Sequence, residues 1–175
     1  ILLLSSLPGE GKTTAALALA HLYARAGARV VLVDLDTRRA TLQSELELSG
    51  AGDLADVILG AVPPEAAVHR PHGLEFDVMA TGREYALLAD SVSTAGMQML
   101  IAGLKARYDV VLIDAPPVLA VPDGLTIATA ADTLLYLVRW QASPRRQVAQ
   151  GLSALQNVGL RPAGLILTMA DPGGE

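Results

Sequence analysis

Six short apolar runs, separated by longer stretches of helical period, constrain the fold of this chain more than any other feature. The runs are rich in Val, Ile and Leu and do not alternate with polar residues, which is typical of strands covered on both faces. They occupy residues 1–5, 29–34, 74–79, 108–114, 133–139 and 163–168. Helices are predicted between them at residues 12–26, 53–59, 94–107, 123–130 and 144–157. This alternation predicts an α/β fold of three layers, with a mainly parallel sheet between helices.

The composition is that of a folded domain. Apolar residues make up 51% of the 175 residues and charged residues 18%, which excludes intrinsic disorder and is enough for one hydrophobic core. The apolar runs end within a few residues at a charge, whereas a helix that spans a membrane needs roughly 20 apolar residues. We therefore expect a single domain over residues 1–175 without a membrane span. Because the chain begins with Ile1 rather than Met, we also expect that it is a fragment of a longer protein.

The charge balance and the cysteine count exclude further classes of function. Thirteen Lys and Arg residues against 18 Asp and Glu residues give a net charge of −5, so electrostatic attraction to nucleic acid is weak and we expect no such partner. The chain has no cysteine, which excludes disulfides and thiolate metal sites. The three histidines, His21, His69 and His72, have no spacing suited to a metal, and we expect surface or packing roles for them.

The first apolar run leads into a Gly-containing loop and then into an Ala-rich helical stretch. After Ser6 and Leu7, the residues of this loop and helix start are Pro8, Gly9, Glu10, Gly11, Lys12, Thr13 and Thr14. Glycines let backbone N–H groups turn towards phosphate oxygens, and the positive end of the following helix adds to the attraction. The Lys12 ammonium would offset phosphate charge, and the Thr13 hydroxyl is placed to ligate Mg²⁺. An ordinary turn that caps a helix is the alternative, but this context favours a nucleotide site.

Carboxylates end two of the predicted strands. Asp34 ends the second apolar run and Asp114 ends the fourth. Asp36 stands two residues after Asp34, which places both carboxylates on the same side if the strand continues. Ligands of such folds bind beyond the carboxyl ends of the strands, so these side chains are candidates for the same site. One carboxylate can orient or deprotonate an attacking hydroxyl and another can hold Mg²⁺. The alternatives are a solvated loop with surface ion pairs for Asp34 and Asp36, and a capping or turn role for Asp114.

Two aromatic residues stand apart from these motifs. Trp140 follows the fifth predicted strand and could stack on an adenine, but an isolated aromatic side chain is more often part of the packing. Of the four tyrosines, we expect only Tyr85 to be readily exposed. The aromatic residues therefore leave the question of base recognition open.

With these motifs in place, the chain resembles the bacterial tyrosine kinases of capsule and exopolysaccharide export, whose catalytic domain is related to P-loop ATPases. The resemblance covers nearly the whole chain. It rests on residues 6–14 as the Walker A loop, residues 34–38 as the Walker A′ motif and residues 113–117 as the Walker B motif. The implied fold is a three-layer P-loop NTPase fold.

The resemblance implies an activity and assigns roles to the site residues. The activity is transfer of the γ-phosphoryl group of ATP to tyrosine, with ATP and Mg²⁺ as cofactors. Lys12 and Thr13 would handle phosphate and Mg²⁺, and Asp36 and Asp114 would assist the metal. Asp34 would activate the acceptor hydroxyl. Lys12, Asp34, Asp36 and Asp114 are thus the implied catalytic set.

The resemblance also implies a cellular setting. Members of the family work in the cytoplasm, at the inner face of the cytoplasmic membrane, beside a polysaccharide co-polymerase that determines chain length and is either fused or separate. They assemble as homo-oligomeric rings, and their phosphorylation tunes polymer export. Relatives end in a tyrosine cluster, whereas residues 171–175 of this chain contain none. They also commonly place Asn near the base at the end of the last strand, where this chain has Leu167, Thr168 and Met169.

The nearest alternative is a nucleotide-dependent ATPase switch of the partition and division-site type, without kinase activity. Those ATPases carry an additional Lys in the Walker A loop at the position of Leu7. A pure interaction module with a vestigial site is a third hypothesis. A dinucleotide-binding oxidoreductase is less favoured, because no Gly-x-Gly-x-x-Gly follows the first predicted strand.

Overall fold

The computed structural model describes residues 1–36, 42, 46, 48, 53–81, 94–120 and 123–171. Tyr85 and residues 37 and 38 of the second carboxylate motif lie outside the described residues. The strands are β1 (Leu2–Ser5), β2 (Val30–Asp34), β3 (Asp77–Met79), β4 (Val110–Asp114), β5 (Leu134–Arg139) and β6 (Gly164–Thr168). The α-helices are α1 (Lys12–Arg25), α2 (Leu54–Ile58), α3 (Thr94–Lys105), α4 (Asp123–Ala128) and α5 (Arg145–Asn157).

The six strands form one sheet in the order β3-β2-β4-β1-β5-β6, and every pair of neighbours is parallel. The predicted parallel sheet is therefore confirmed. The strand β1 lies between β4 and β5, near the middle of the sheet. Chain connections leave β1 and β4 in opposite directions along the sheet, and right-handed crossovers then place their helices on opposite faces. The loop after β1 consequently opens at the middle of the carboxyl edge.

The helices cover the two faces of the sheet, which confirms the predicted α/β architecture. Ala16 and Ala20 of α1 are fully buried against one face. Among the described residues, α2, α3, α4 and α5 contribute to the cluster on the other face. The consecutive leucines of β1 reflect burial on both faces of the sheet, since Leu3 belongs to the first cluster and Leu2 and Leu4 to the second. Each such leucine stabilises the fold by about 1.5–3 kcal/mol.

Local sequence accounts for most element ends. Helix α1 ends before Gly27, whose φ is 89°. Helix α2 is capped by Asp53, whose side chain accepts a hydrogen bond from the Ala55 N–H at 2.7 Å. Strand β3 begins at Asp77 rather than at residue 74, because the chain is still turning after Gly73, whose φ is 82°. A short 3-10 helix, Pro64–Ala67, lies between α2 and β3.

The length and hydropathy of the helices in the described residues can be compared with those of a membrane-spanning helix. None of them is long and apolar enough to cross a membrane. They pack on the sheet instead, and α1, the longest, has 14 residues.

Candidate functional site

The loop between β1 and α1 depends on two glycines with left-handed backbone conformations. The φ angle is 77° at Gly9 and 84° at Gly11, a region that other residues rarely adopt. A Cβ atom on Gly11 would also lie 3.2 Å from the Thr168 side chain of β6. Pro8 and Gly9 are exposed, as is Thr14 on the first turn of α1. The loop thus wraps closely over the end of the sheet while its tip faces solvent.

Lys12 is the buried cation of this loop. Only 4% of its side chain is exposed, and its Nζ atom lies 3.4 Å from Oδ2 of Asp36. The Asp36 side chain is 15% exposed. Period-two spacing suggested that Asp34 and Asp36 share one side of an extended strand, but β2 ends at Asp34. Asp36 therefore turns to Lys12, and its predicted role at a metal stays a prediction.

Asp114 and Thr13 form the second element of the site. The Thr13 hydroxyl donates a hydrogen bond to Oδ2 of Asp114 at 2.5 Å. Asp114 is fully buried, and its Oδ1 atom has no hydrogen-bond partner in the part of the chain that the structure describes. Burial raises the pKa of Asp114 to about 6, although the Lys12 charge and the Thr13 hydrogen bond oppose this shift.

This pair fits a magnesium ion. Mg²⁺ is usually held by one or two carboxylates together with substrate phosphates and water, rather than by an all-protein cage. The described residues contain no group of three or more His, Cys, Asp or Glu side chains that could hold a metal ion. The unpartnered Oδ1 atom of Asp114 and the neighbouring Thr13 hydroxyl are oxygen ligands of the required kind. The donor set therefore suits an ion that arrives with a nucleotide.

Asp34 is a second buried acid at the same edge. It is 5% exposed, and its register partner in the neighbouring strand is Asp114. Its Oδ1 atom accepts a hydrogen bond from the Asp36 N–H at 2.9 Å. Burial first, and then the charge of Asp114, raise the pKa of Asp34 to about 7. A carboxyl group with this pKa can take up or release a proton near neutral pH.

Glu10 has a role that the sequence pattern did not reveal. It was predicted only as one of the phosphate-binding loop residues, but its side chain is 3% exposed and turned inward. Its Oε2 atom accepts from the Leu7 N–H at 2.7 Å, and its Oε1 atom accepts from the Ser143 hydroxyl. Its carbonyl oxygen accepts from the Thr168 hydroxyl at 2.8 Å. Glu10 therefore fastens the loop to the residues before α5 and to the end of β6.

Together, a glycine-dependent turn between a parallel strand and a helix, a buried lysine and buried acids on neighbouring strands define a P-loop domain. The AAA domain family matches residues 2–159. Tyrosine-protein kinase YwqD of Bacillus subtilis is 30% identical, over 95% of this chain and 70% of YwqD. Tyrosine-protein kinase Wzc of Salmonella typhimurium is 29% identical, over 91% of this chain and 22% of Wzc. This chain therefore spans less than a quarter of the length of Wzc.

Two solved structures share the fold, and one of them is a kinase domain. The kinase domain of VpsO superposes with a TM-score of 0.87 at 28% identity, over 97% of this chain and 84% of that one. Cobyrinic acid a,c-diamide synthase from Mycobacterium smegmatis, solved with a bound ATP analogue and magnesium, gives a TM-score of 0.81 at 24% identity, over 99% of this chain and 74% of the synthase. The latter likeness shows the fold alone. The chain belongs to the AAA domain family and, within it, to the bacterial tyrosine kinases.

Proposed function

We propose that this domain binds Mg·ATP and transfers the γ-phosphoryl group to a tyrosine hydroxyl. The observation that carries the proposal is the position of Asp34, a buried acid with a pKa of about 7, directly across the strand pair from Asp114. A proton acceptor thus lies beside the residues suited to magnesium and phosphate. The tyrosine-protein kinase names of YwqD and Wzc support the same activity.

Phosphate binding is assigned to the loop and Lys12. Gly9 and Gly11 give the loop its left-handed turns, which direct backbone N–H groups towards an anion. Lys12 contributes a cation that is already held in place by Asp36. Its burial strengthens its attraction to phosphate, since the local dielectric is lower than in water.

Thr13 and Asp114 are the residues that hold magnesium in this proposal. Asp36 lies near them, because its carboxylate contacts Lys12, the residue before Thr13. Magnesium supplies neutralisation of the charge that develops on the transferred phosphoryl group. Of the two carboxylate oxygens of Asp114, Oδ2 accepts a hydrogen bond from the Thr13 hydroxyl, and Oδ1 has no hydrogen-bond partner among the described residues.

Asp34 acts on the acceptor. Its carboxylate takes the proton of the tyrosine hydroxyl as the phenolic oxygen forms a bond to the γ-phosphorus, and the bond from that phosphorus to the β,γ-bridging oxygen breaks to release ADP. With a pKa of about 7, a large fraction of Asp34 is ionised near neutral pH and can accept this proton. In this proposal, the γ-phosphoryl group passes to tyrosine rather than to water when a tyrosine hydroxyl reaches Asp34.

The wider setting of this activity is part of the same proposal. We assign the domain to a homo-oligomeric cytoplasmic regulator, at the inner face of the cytoplasmic membrane, that works with a polysaccharide co-polymerase. This is the setting that the resemblance to the bacterial tyrosine kinases of polysaccharide export implies. The alternative, an ATPase switch of the partition type without kinase activity, is not favoured. Leu7 stands where such switches carry a lysine, and the relatives described above are named as kinases.

The test is detection of phosphotyrosine by mass spectrometry after the whole protein is incubated with Mg·ATP. Asp34→Asn should retain Mg·ATP binding in calorimetry but lose most phosphotyrosine, because it removes the proton acceptor and leaves the phosphate-binding residues in place. The matched control is Asp109→Asn, which alters an exposed acid at the opposite edge of the sheet and should leave phosphotyrosine unchanged.

Two results would contradict the proposal. Release of inorganic phosphate without phosphotyrosine, in the presence of nucleotide binding, would favour the ATPase switch. Full phosphotyrosine formation by Asp34→Asn would show that this carboxyl group is not the base.

A further inference from the structure

A chain of buried hydrogen bonds lies directly behind the phosphate loop and plays no part in the chemistry described above. It joins Tyr136 of β5 to Ser6, the first loop residue, and Ser6 to Gln147 of α5. We propose that Tyr136 is a positioning residue of the nucleotide site, and that its hydroxyl holds the start of the phosphate loop against α5. This inference rests on the proposed function, since it assumes that the loop binds nucleotide.

The direction of the hydrogen bonds follows from the groups involved. Oγ of Ser6 lies 2.6 Å from the Tyr136 hydroxyl oxygen and 3.0 Å from the carbonyl oxygen of Gln147. A carbonyl oxygen only accepts, so the single Ser6 proton is donated to Gln147. The Tyr136 hydroxyl must therefore donate to Ser6. Both Ser6 and Tyr136 have no exposed surface, so water cannot replace this donor.

Gly151 provides the space that this chain of bonds needs. It lies one turn after Gln147 on α5, on the same side of the helix. A Cβ atom at Gly151 would lie 2.0 Å from the Tyr136 hydroxyl oxygen and 2.9 Å from Oγ of Ser6. Glycine in a helix interior is less favourable than alanine. Helix α5 thus has a glycine, which lowers helix stability, at the point where the Tyr136 hydroxyl reaches Ser6.

The same helix region holds the phosphate loop at a second point. The Ser143 hydroxyl, two residues before α5, donates to the Glu10 carboxylate, which also binds the Leu7 N–H. The segment from Ser6 to Glu10 is therefore fixed to the α5 region at both of its ends. Loss of the Tyr136 hydroxyl releases one end and leaves the buried Ser6 oxygen without its donor. The effect should consequently appear in nucleotide affinity as well as in stability.

The experiment compares Tyr136→Phe with the parent chain by calorimetric titration with Mg·ATP, under conditions in which circular dichroism shows both proteins folded. We expect the Kd of Tyr136→Phe to rise by about threefold to tenfold, the equivalent of one hydrogen bond. Tyr108→Phe is the matched control. The Tyr108 hydroxyl also donates a partly buried hydrogen bond, to Oδ2 of Asp77 at 2.7 Å, but this bond lies at the amino edge of the sheet. It should lower the urea midpoint of unfolding and leave the Kd unchanged.

A double-mutant cycle tests whether Tyr136 acts through Ser6. Ser6→Ala breaks the same hydrogen bond from its other side and also serves if Tyr136→Phe does not fold. We expect the double variant to bind Mg·ATP no more than about twofold more weakly than the weaker single variant, because both changes remove one shared interaction.

The outcomes separate this inference from the proposed function. An unchanged Kd for Tyr136→Phe and Ser6→Ala, with reduced stability, would overturn the positioning role. An equal rise of Kd in Tyr108→Phe would overturn it as well, because the effect would then be a general loss of stability. A parent chain that does not bind Mg·ATP at all would contradict the proposed function itself, and the positioning role with it.

Discussion

Aspartates at the two edges of the sheet show opposite behaviour. At the carboxyl edge, Asp34 and Asp114 are buried, and burial raises their pKa values to about 7 and about 6. At the amino edge, Asp109 is exposed and bonded to Arg29 at 2.8 Å, which lowers the pKa of Asp109 to about 2. Asp132, bonded to a lysine of α3 at 2.7 Å, likewise has a lowered pKa. The pKa of aspartate is thus raised at one edge of the sheet and lowered at the other.

The difference lies in burial and in whether a cation of the chain is paired directly with the acid. At the amino edge, arginine and lysine side chains are paired with the acids in water. At the carboxyl edge, the ion pair within the described residues joins Lys12 to Asp36, while Asp34 and Asp114 have no ion-pair partner there. Buried charges without a partner are costly. The carboxyl edge therefore disfavours the ionised form of its two buried acids, whereas the amino edge stabilises the ionised form of Asp109 and Asp132.

The largest effect is expected from Lys12→Ala. Lys12 is the cation that this edge offers to phosphate, and a hydrogen bond to a charged group contributes enough that its loss should weaken Mg·ATP binding by about 10- to 100-fold. Calorimetric titration measures the change. Lys105→Ala removes a lysine from the amino edge and should bind Mg·ATP like the parent. Equal affinities of Lys12→Ala and Lys105→Ala for Mg·ATP would show that the two edges do not differ in phosphate binding.

A smaller effect is expected from pH. Because the folded-state pKa of Asp34 lies above its usual value of 3.8, the folded chain binds the proton more tightly than the unfolded chain. Stability must then fall as pH rises from about 4 towards about 7, and level off above that range. For Asp34 alone, the loss between pH 5 and pH 8 is on the order of 3 kcal/mol. Urea unfolding without nucleotide or magnesium measures it.

Two variants sharpen the pH experiment. Asp34→Asn should reduce the decline between pH 5 and pH 8 and leave the part that is due to Asp114, whose pKa of about 6 also lies in this range. Asp109→Asn should leave the decline unchanged, because the pKa of Asp109 is about 2 and its titration is complete at lower pH. A stability that rises from pH 5 to pH 8 in the parent would contradict the assignment of Asp34.

The smallest effect is expected from Asp132→Asn, the same substitution at the amino edge. It removes an exposed ion pair, and such pairs contribute less than about 1 kcal/mol to the free energy of unfolding. The difference from the parent should shrink further in 0.5 M NaCl, because salt screens exposed charges. A loss as large as that of a buried charge would show that exposure does not distinguish the two edges.

Local sequence patterns were sufficient to predict the elements of the sheet and the position of the loop. Apolar runs and glycines act over a few residues, so the strands, the helices and the turns at Gly9 and Gly11 could be predicted. The contacts that shape the loop join distant parts of the chain. Ser6 and Tyr136 are 130 residues apart, and the Thr168 hydroxyl is 158 residues from the Glu10 carbonyl. No periodicity signals such pairs.

Asp36 shows a second reason why part of the site was not predictable. The rule that residues two apart share a face holds only while the strand continues. Here the Asp36 N–H turns back to the Asp34 carboxylate, and the Asp36 carboxylate reaches Lys12. The turn depends on where β2 stops pairing with β4, which is a property of the sheet and not of the motif.

The central place of β1 has a consequence for how the molecule is made. β1 leaves the ribosome before either neighbour, yet its pairs, such as Leu2 with Ile113 and Leu3 with Leu135, join residues more than one hundred positions apart. Parallel pairing over such distances is slow, since a long segment must be ordered before the contact forms. Synthesis of the phosphate loop thus begins more than one hundred residues before the two strands that flank β1. This strand and the loop after it are therefore among the last parts of the domain to reach native structure.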